Sequence, residues 1–543
     1  MKLDLNTPET QADLEAWKNL VAKTDPFETR SSKLTRTDAS GIPYPLVAQS
    51  GPPHKVQPTG NQASFCARLG KAPTWDVRAV LSISDDISGN TAILDALTHG
   101  ATSLEFRLRE LKPRSFDVLF KDVTRSFIDL VLIVEESDAQ EDVNDVASRL
   151  IDFKKCTWVS AGSSPTFLKC TKQTTIALSS LKAIDLSAHP ALEIACLLSA
   201  AVGYYRAGGA SAIGAQEGPA LYLTTESTLF MNIAKLRTLK RLYEGIRSSL
   251  GAKHNWELMT LSSPRAWTRD APWNNQLRAT SSLMSGAIGG ATSIGVLPAT
   301  DSIESQRIAL TSHAVVALES HLGQVQDPAQ GSYLIESLTN DLALAAWAIF
   351  QELERKGGVS TTDGQMAFEE LAKQAQEKRE DELARRVRAY VGVTEFPSLE
   401  DEASLPPSVI QNHARDSIMF EELRHQKHGL SLRLITLGAP ARHLGRKTFA
   451  EHALAAGGLQ ASVVPLEEAL LDSFHGIQIL CGHDDDYESS QEQIETLLNS
   501  NKSRSYIASK KALKDLFPPS QRLYLGMNLL AFLQNIVEAP QED

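Results

Sequence analysis

Short apolar runs alternate with longer amphipathic stretches over most of this chain, and they do so in two separate blocks. In the first block, from Trp75 to about Gly358, the pattern predicts strands at 78–83, 103–108, 157–161 and 175–178. Helices are predicted at 90–99, 190–206 and 230–250. Residues 127–134 form an apolar run broken only by Asp129, as in strands buried on both faces of a parallel sheet. Repeated βα units of this kind fit a closed (βα)8 barrel of the TIM type. After Gly429 a second α/β block predicts strands at 432–437, 460–464, 476–481, 504–508 and 522–525. Helices follow from near 443, 466, 488, 510 and 527, which makes an open flavodoxin-like (Rossmann-like) sheet.

The remaining segments punctuate these blocks. Residues 10–23 read as one helical stretch and 31–53 as a loop-rich arm, too little to form a core alone and therefore expected to wrap another element or subunit. Residues 359–428 read as helical and highly charged, and the run 374–388 as a solvated helix face marking a boundary. The expected organisation is an arm over 1–55, a barrel over 56–358, a helical linker over 359–429 and a flavodoxin-like domain over 430–543. At 543 residues the chain is long enough for two or three cores.

Composition narrows the partners. A net charge of -12 gives no electrostatic reason to expect nucleic acid or an anionic membrane surface. No targeting pattern opens the chain and no window approaches eighteen apolar residues, so a cytoplasmic location is expected. The five cysteines, Cys66, Cys156, Cys170, Cys196 and Cys481, are far apart and form no C-x-x-C pair; reduced, partly buried thiols are expected.

Two stretches are specific enough to indicate a family. Residues 268–290 read T-R-D-A-P-W-N-N-Q-L-R-A-T-S-S-L-M-S-G-A-I-G-G, and 319–341 read E-S-H-L-G-Q-V-Q-D-P-A-Q-G-S-Y-L-I-E-S-L-T-N-D. With 233–242, I-A-K-L-R-T-L-K-R-L, they resemble the methylmalonyl-CoA mutase family, and the order of arm, barrel, linker and cobalamin-type domain agrees. The resemblance implies an acyl-CoA mutase barrel followed by a cobalamin-binding-type domain. Active members use adenosylcobalamin, whose cobalt-carbon bond supplies a radical. That chemistry needs a cobalt-ligating histidine backed by a carboxylate.

The chain departs from the family where the chemistry should be. Anchoring the family's D-x-H-x-x-G on Gly445 puts Pro440 at the Asp position and Arg442 at the His position. Arginine stays protonated and has no lone pair to give a metal. The neighbouring His443 has only Ala441 two residues before it, at the expected start of a helix. The retained Gly445 is expected to mark a tight strand-helix turn. Where the family keeps small residues for the cofactor's nucleotide tail, this chain has Cys481, Gly482 and His483, and then Ala508 and Ser509. Asp484, Asp485 and Asp486 are expected to be solvated loop carboxylates, not a metal site. Aligned through Glu193, the histidine that bonds the substrate thioester in active members is Lys182. The polar pair of H-x-Q-T-S-G falls on Met259 and Leu261, which cannot grip a CoA ester through hydrogen bonds. The tyrosine-bearing stretch is replaced by Trp75, Asp76, Val77, Arg78 and Ala79. No catalytic, cofactor or metal residue is therefore expected in this chain. The resemblance implies the small subunit of a heterodimer, with adenosylcobalamin, acyl-CoA and the isomerisation of (R)-methylmalonyl-CoA to succinyl-CoA in a large catalytic subunit. A subunit of a related acyl-CoA mutase, a cobalamin-free regulatory pseudoenzyme and an active mutase using His443 stay open beside it.

Overall fold

Eight short strands, each buried over nearly its whole length, close into a ring. In the computed structural model they are Asp76–Val80 (β1), Ser103–Arg107 (β2), Asp129–Val134 (β3), Lys155–Ser160 (β4), Thr174–Ser179 (β5), Ala220–Thr225 (β6), Glu257–Ser262 (β7) and Ser293–Val296 (β8). All pair in parallel with their sequence neighbours, and β8 returns to β1 with Ser293 opposite Asp76 and Val296 opposite Ala79. The structure describes residues 35–37, 40–45, 74–83, 85–107, 116–134, 152–160, 174–186, 188–209, 218–400, 407–410, 413–426, 429–500, 503–510 and 516–538, with isolated positions before 24 and at 146. The expected helix at 10–23 lies almost wholly outside them, and within the arm Thr35–Thr37 pairs antiparallel with Pro43–Pro45.

The apolar run at 127–134 begins its strand at Asp129, because Arg125–Phe127 makes a 3-10 turn first. Helices Asp86–Thr98 (α1), Pro190–Arg206 (α2), Leu229–Ser249 (α3), Asn274–Gly289 (α4), Ile303–Ala314 (α5) and Tyr333–Arg355 (α6) follow or flank the strands. Pro190 opens α2 at a position where no intrahelical N–H is missed, and His189 caps it through its ring nitrogen. α6 packs against both α2 and α3. Arg237 of α3 fixes this arrangement by donating to Asp327, Thr339 and Glu336, the last at 2.8 Å. Two of the family-like stretches therefore meet in one buried ion-pair fork.

The second sheet has the order β10-β9-β11-β12, all parallel, built from Leu432–Thr436 (β9), Ser462–Pro465 (β10), Ile477–Cys481 (β11) and Arg504–Ile507 (β12). Its neighbours in sequence part company between β9 and β11, the switch point where open α/β sheets bind ligands. Ile435, Leu480, Ile494, Leu497, Ile507 and Phe517 form one face of its core. The expected fifth strand at 522–525 is reduced to a single bridge between Ile507 and Arg522. The 3-10 turn Pro519–Gln521 leads directly into it and Gly526, at φ +92°, turns the chain away again.

The linker also differs from its expectation. Thr362–Ala384 (α7) is helical, but the described residues between it and β9 are largely irregular apart from the 3-10 turn Ser408–Ile410 and Ile418–Arg424 (α8). By compactness the chain forms one unit of 1–263 with 278–376 and another of 264–277 with 377–543. The loop between β7 and β8 thus belongs to the second unit. Arg265 and Arg379 both grip the buried Asp416 carboxylate, the Arg269 amide donates to Glu421 of α8, and Asn275 closes back on Thr268. Arg379 lies inside the run expected to be a solvated face and is buried instead. No helix among the described residues is long and apolar enough to cross a membrane.

Candidate functional site

At the switch point the chain leaves β9 through Leu437 and Gly438, the latter at φ +74°, a conformation that glycine adopts without strain. Pro440–Ala456 (α9) then begins three residues earlier than the pattern suggested, with Pro440 in its first turn and no side-chain cap at Ala439. The strand-to-helix turn is made by Gly438. Gly445 lies within α9 with ordinary helical backbone, and a Cβ there would meet nothing, so it marks no tight turn.

Across the crevice β11 ends at Cys481, and Asp484–Ser489 (α10) starts at once. The three aspartates are its first turn, where carboxylates suit the helix dipole. His483 and Asp486 form a capping box. These carboxylates are not simply solvated. Arg442 Nε donates to Asp486 Oδ2 at 2.8 Å and Arg442 Nη2 to Asp485 Oδ2 at 3.3 Å. Arg446 Nη2 donates to Asp484 Oδ1 at 2.5 Å and Arg446 Nη1 to the Gly482 carbonyl at 2.7 Å. Ser509 Oγ donates to the same Asp484 oxygen at 3.1 Å. The Arg442 hydrogen bond holds the Asp486 carboxyl below its ordinary range. Asp486 also sits over the crossing loop: a Cβ on Gly438 would lie 2.6 Å from its Oδ2. His443 Nδ1 faces the Gly438 carbonyl at 3.2 Å on the exposed side of α9. Ala508 and Ser509 are buried at the end of β12. Among the described residues no group of three or more His, Cys, Asp or Glu side chains is arranged to hold a metal.

The barrel positions lie in the first unit. Lys182 follows β5 and its Nζ lies 3.4 Å from Glu369 Oε1 of α7. Met259 and Leu261 are buried on β7. Arg78, in the stretch Trp75–Ala79, proved to be the centre of a cluster that sequence reasoning missed. It lies 2.8 Å from Glu105 of β2 and stacks on Tyr222 of β6 at 5.0 Å, while the Tyr222 hydroxyl donates to Glu105 at 3.0 Å. β2 and β6 stand opposite each other in the ring, so these side chains meet across the barrel interior. Burial raises the Glu105 carboxyl, against the opposing pull of Arg78 and Tyr222. The only signals were charged residues, two in each, within the two short strands D-V-R-A-V and S-L-E-F-R.

The family model for methylmalonyl-CoA mutase matches residues 166–464, spanning the later barrel strands, the linker and the crossing loop. The chain belongs to the methylmalonyl-CoA mutase family. Among curated methylmalonyl-CoA mutase proteins it is similar to the small subunit of Streptomyces virginiae, 28% identical over 528 residues, 86% of this chain and 84% of that one. The probable small subunit of Mycobacterium tuberculosis H37Rv is 31% identical over 390 residues, 65% of this chain and 62% of the relative. Mitochondrial methylmalonyl-CoA mutase of Bos taurus is 26% identical over 272 residues, 47% of this chain and 36% of the relative. The mutase family is cobalamin-dependent, and residue 442 does not fit a cobalt ion. Its guanidinium has no lone pair and is committed to carboxylates.

Proposed function

We propose that this chain is the small, non-catalytic subunit of a heterodimeric, adenosylcobalamin-dependent methylmalonyl-CoA mutase. In this reading a longer, homologous large subunit holds cobalamin and acyl-CoA and converts (R)-methylmalonyl-CoA to succinyl-CoA in the cytoplasm. This chain pairs with that subunit and stabilises it. The observation that carries the reading is Arg442 at the family's histidine position, tied into ion pairs with Asp485 and Asp486. The small-subunit names of the relatives support the pairing. Lys182, Met259 and Leu261 in the barrel point the same way, since each stands where active members need a polar or titratable contact. The test is the visible absorption of the purified chain after incubation with adenosylcobalamin, beside co-purification with a longer homologue carrying an intact D-x-H-x-x-G. Cobalamin bound by the isolated chain, or failure to co-purify, defeats the proposal.

One observation favours a second reading, an active mutase using His443. A histidine whose Nδ1 donates to a carbonyl presents Nε2 as a ligand, and His443 is so placed against Gly438. Cobalamin uptake by the wild-type chain that is lost in His443→Ala would establish it.

A further inference from the structure

We propose that the switch point of the second unit is locked by its own side chains, so that the ion pairs of Arg442 and Arg446 do the work of holding the crevice that a bound ligand does elsewhere in such folds. The inference builds on the reading of this loop as a vacated cofactor site, and goes beyond it by assigning a role to the side chains that replaced the cofactor.

The charge order is the first ground. α9 opens with no acidic residue in its first turn and places Arg442 there. A cation at a helix N-terminus opposes the helix dipole. A side-chain cap is missing at Ala439 as well, so α9 starts with two local disadvantages. The partners across the crevice offset that arrangement. Arg442 and Arg446 are four residues apart and share one face of α9. That face meets the first turn of α10, where Asp484, Asp485 and Asp486 are favourably placed for their own helix.

Reach is the second ground. Arg446 bonds the Gly482 carbonyl at the end of β11 and stacks on the Tyr487 ring at 5.5 Å, while Ser509, beyond β12, bonds Asp484. The Tyr487 hydroxyl accepts the Gly482 amide at 2.8 Å and donates to the Leu480 carbonyl at 3.0 Å. One network therefore ties the carboxyl ends of β9, β11 and β12, three adjacent strands of the sheet. Asp486 adds a steric element by lying directly over Gly438.

Hydrogen exchange on the full-length chain, alone and with its co-purified partner, tests the lock. Amides of 441–446 and 484–490 are expected to be protected without cobalamin, and the double substitution Arg442→Ala/Arg446→Ala should speed their exchange about tenfold while leaving α3 unchanged. Should that variant fold poorly, the wild-type chain gives the same information. Exposed ion pairs weaken as salt shortens the Debye length to about 3 Å at 1 M, so high salt should accelerate those amides relative to α3. Equal exchange in wild type and variant, or exchange of the two segments that salt leaves unchanged, overturns the lock. Failure of the vacancy reading would show separately, as a cobalamin spectrum on the wild-type chain, whereas the lock stands or falls on the exchange rates.

Discussion

Arg379 Nη2 donates to Asp416 Oδ2 at 2.6 Å, with both side chains almost wholly withdrawn from water. Arg265 reaches the same carboxylate at 3.0 Å, and the Tyr390 hydroxyl donates to it at 2.6 Å. Burial would push this carboxyl up, but Arg379, Arg265 and Tyr390 overrule it and hold it at about 2.

Removing that charge strands two buried guanidinium groups. Asp416→Asn is therefore expected to cost about 3–5 kcal/mol, read from urea unfolding. Because the folded carboxyl lies below its unfolded value, its contribution is complete above about pH 4 and is lost as the pH falls further. The Asn variant should show a flatter acid limb; an unfolding midpoint equal to wild type would refute the assignment.

His313 acts in the same direction, over a higher pH window. Trp75 Nε1 donates to its Nδ1 at 2.9 Å, which places the ring proton on Nε2. Burial pushes the ring down to about 3, with Asp76 pulling it up and Arg78 pushing it further down. The unfolded chain takes up a proton first, so stability is full above about pH 6.5 and falls below it, by at most about 1.4 kcal/mol per pH unit. His313→Gln keeps an acceptor for Trp75 and should abolish that slope in denaturant midpoints measured at pH 7, 6 and 5.

Lys182 pairs with Glu369 at a half-exposed position. Lys182→His is expected to shift unfolding free energy by less than about 1 kcal/mol. It should confer no turnover of methylmalonyl-CoA, because Met259 and Leu261 still occupy β7. Measurable succinyl-CoA formation by this variant alone would contradict the proposed role.

Burial pushes the thiols of Cys156, Cys196 and Cys481 each up to about 12. Thiolate is the reactive form. These three should stay silent toward a thiol-modifying reagent in the native chain and titrate fully in denaturant, with mass spectrometry reporting the modified peptides. Cys66 and Cys170 lie outside the described residues.

Strand positions were legible because parallel strands buried on both faces are largely apolar runs, as at Asp129–Val134, and at Leu432–Thr436 despite Arg433. α2 was legible to the residue because Pro190 announces its first turn. The loop at Pro440 and Arg442 was legible as an alteration, since it depended on which atoms a side chain carries. The side chains that meet at the crossing were not legible as a network, because Asp484 and Asp486 find their arginines some forty positions away in sequence. Arg379 failed for the same reason: a charge run implies a solvated face, and nothing local reveals that Asp416 waits 37 residues on. Arg78 and Glu105 meet through the pairing of β1 with β2, but Tyr222 of β6 reaches Glu105 only once the ring has closed.

The loop between β7 and β8 places residues 264–277 in the second unit before the chain returns to finish the ring. Neither unit is consequently a contiguous stretch of gene. A fragment starting at the last sheet would lack Arg265 and Arg269, and a fragment ending before it would leave them without Asp416 and Glu421. Exchange of one unit between relatives by a single crossover would separate these partners, which ties the inheritance of the second unit to that of its own barrel.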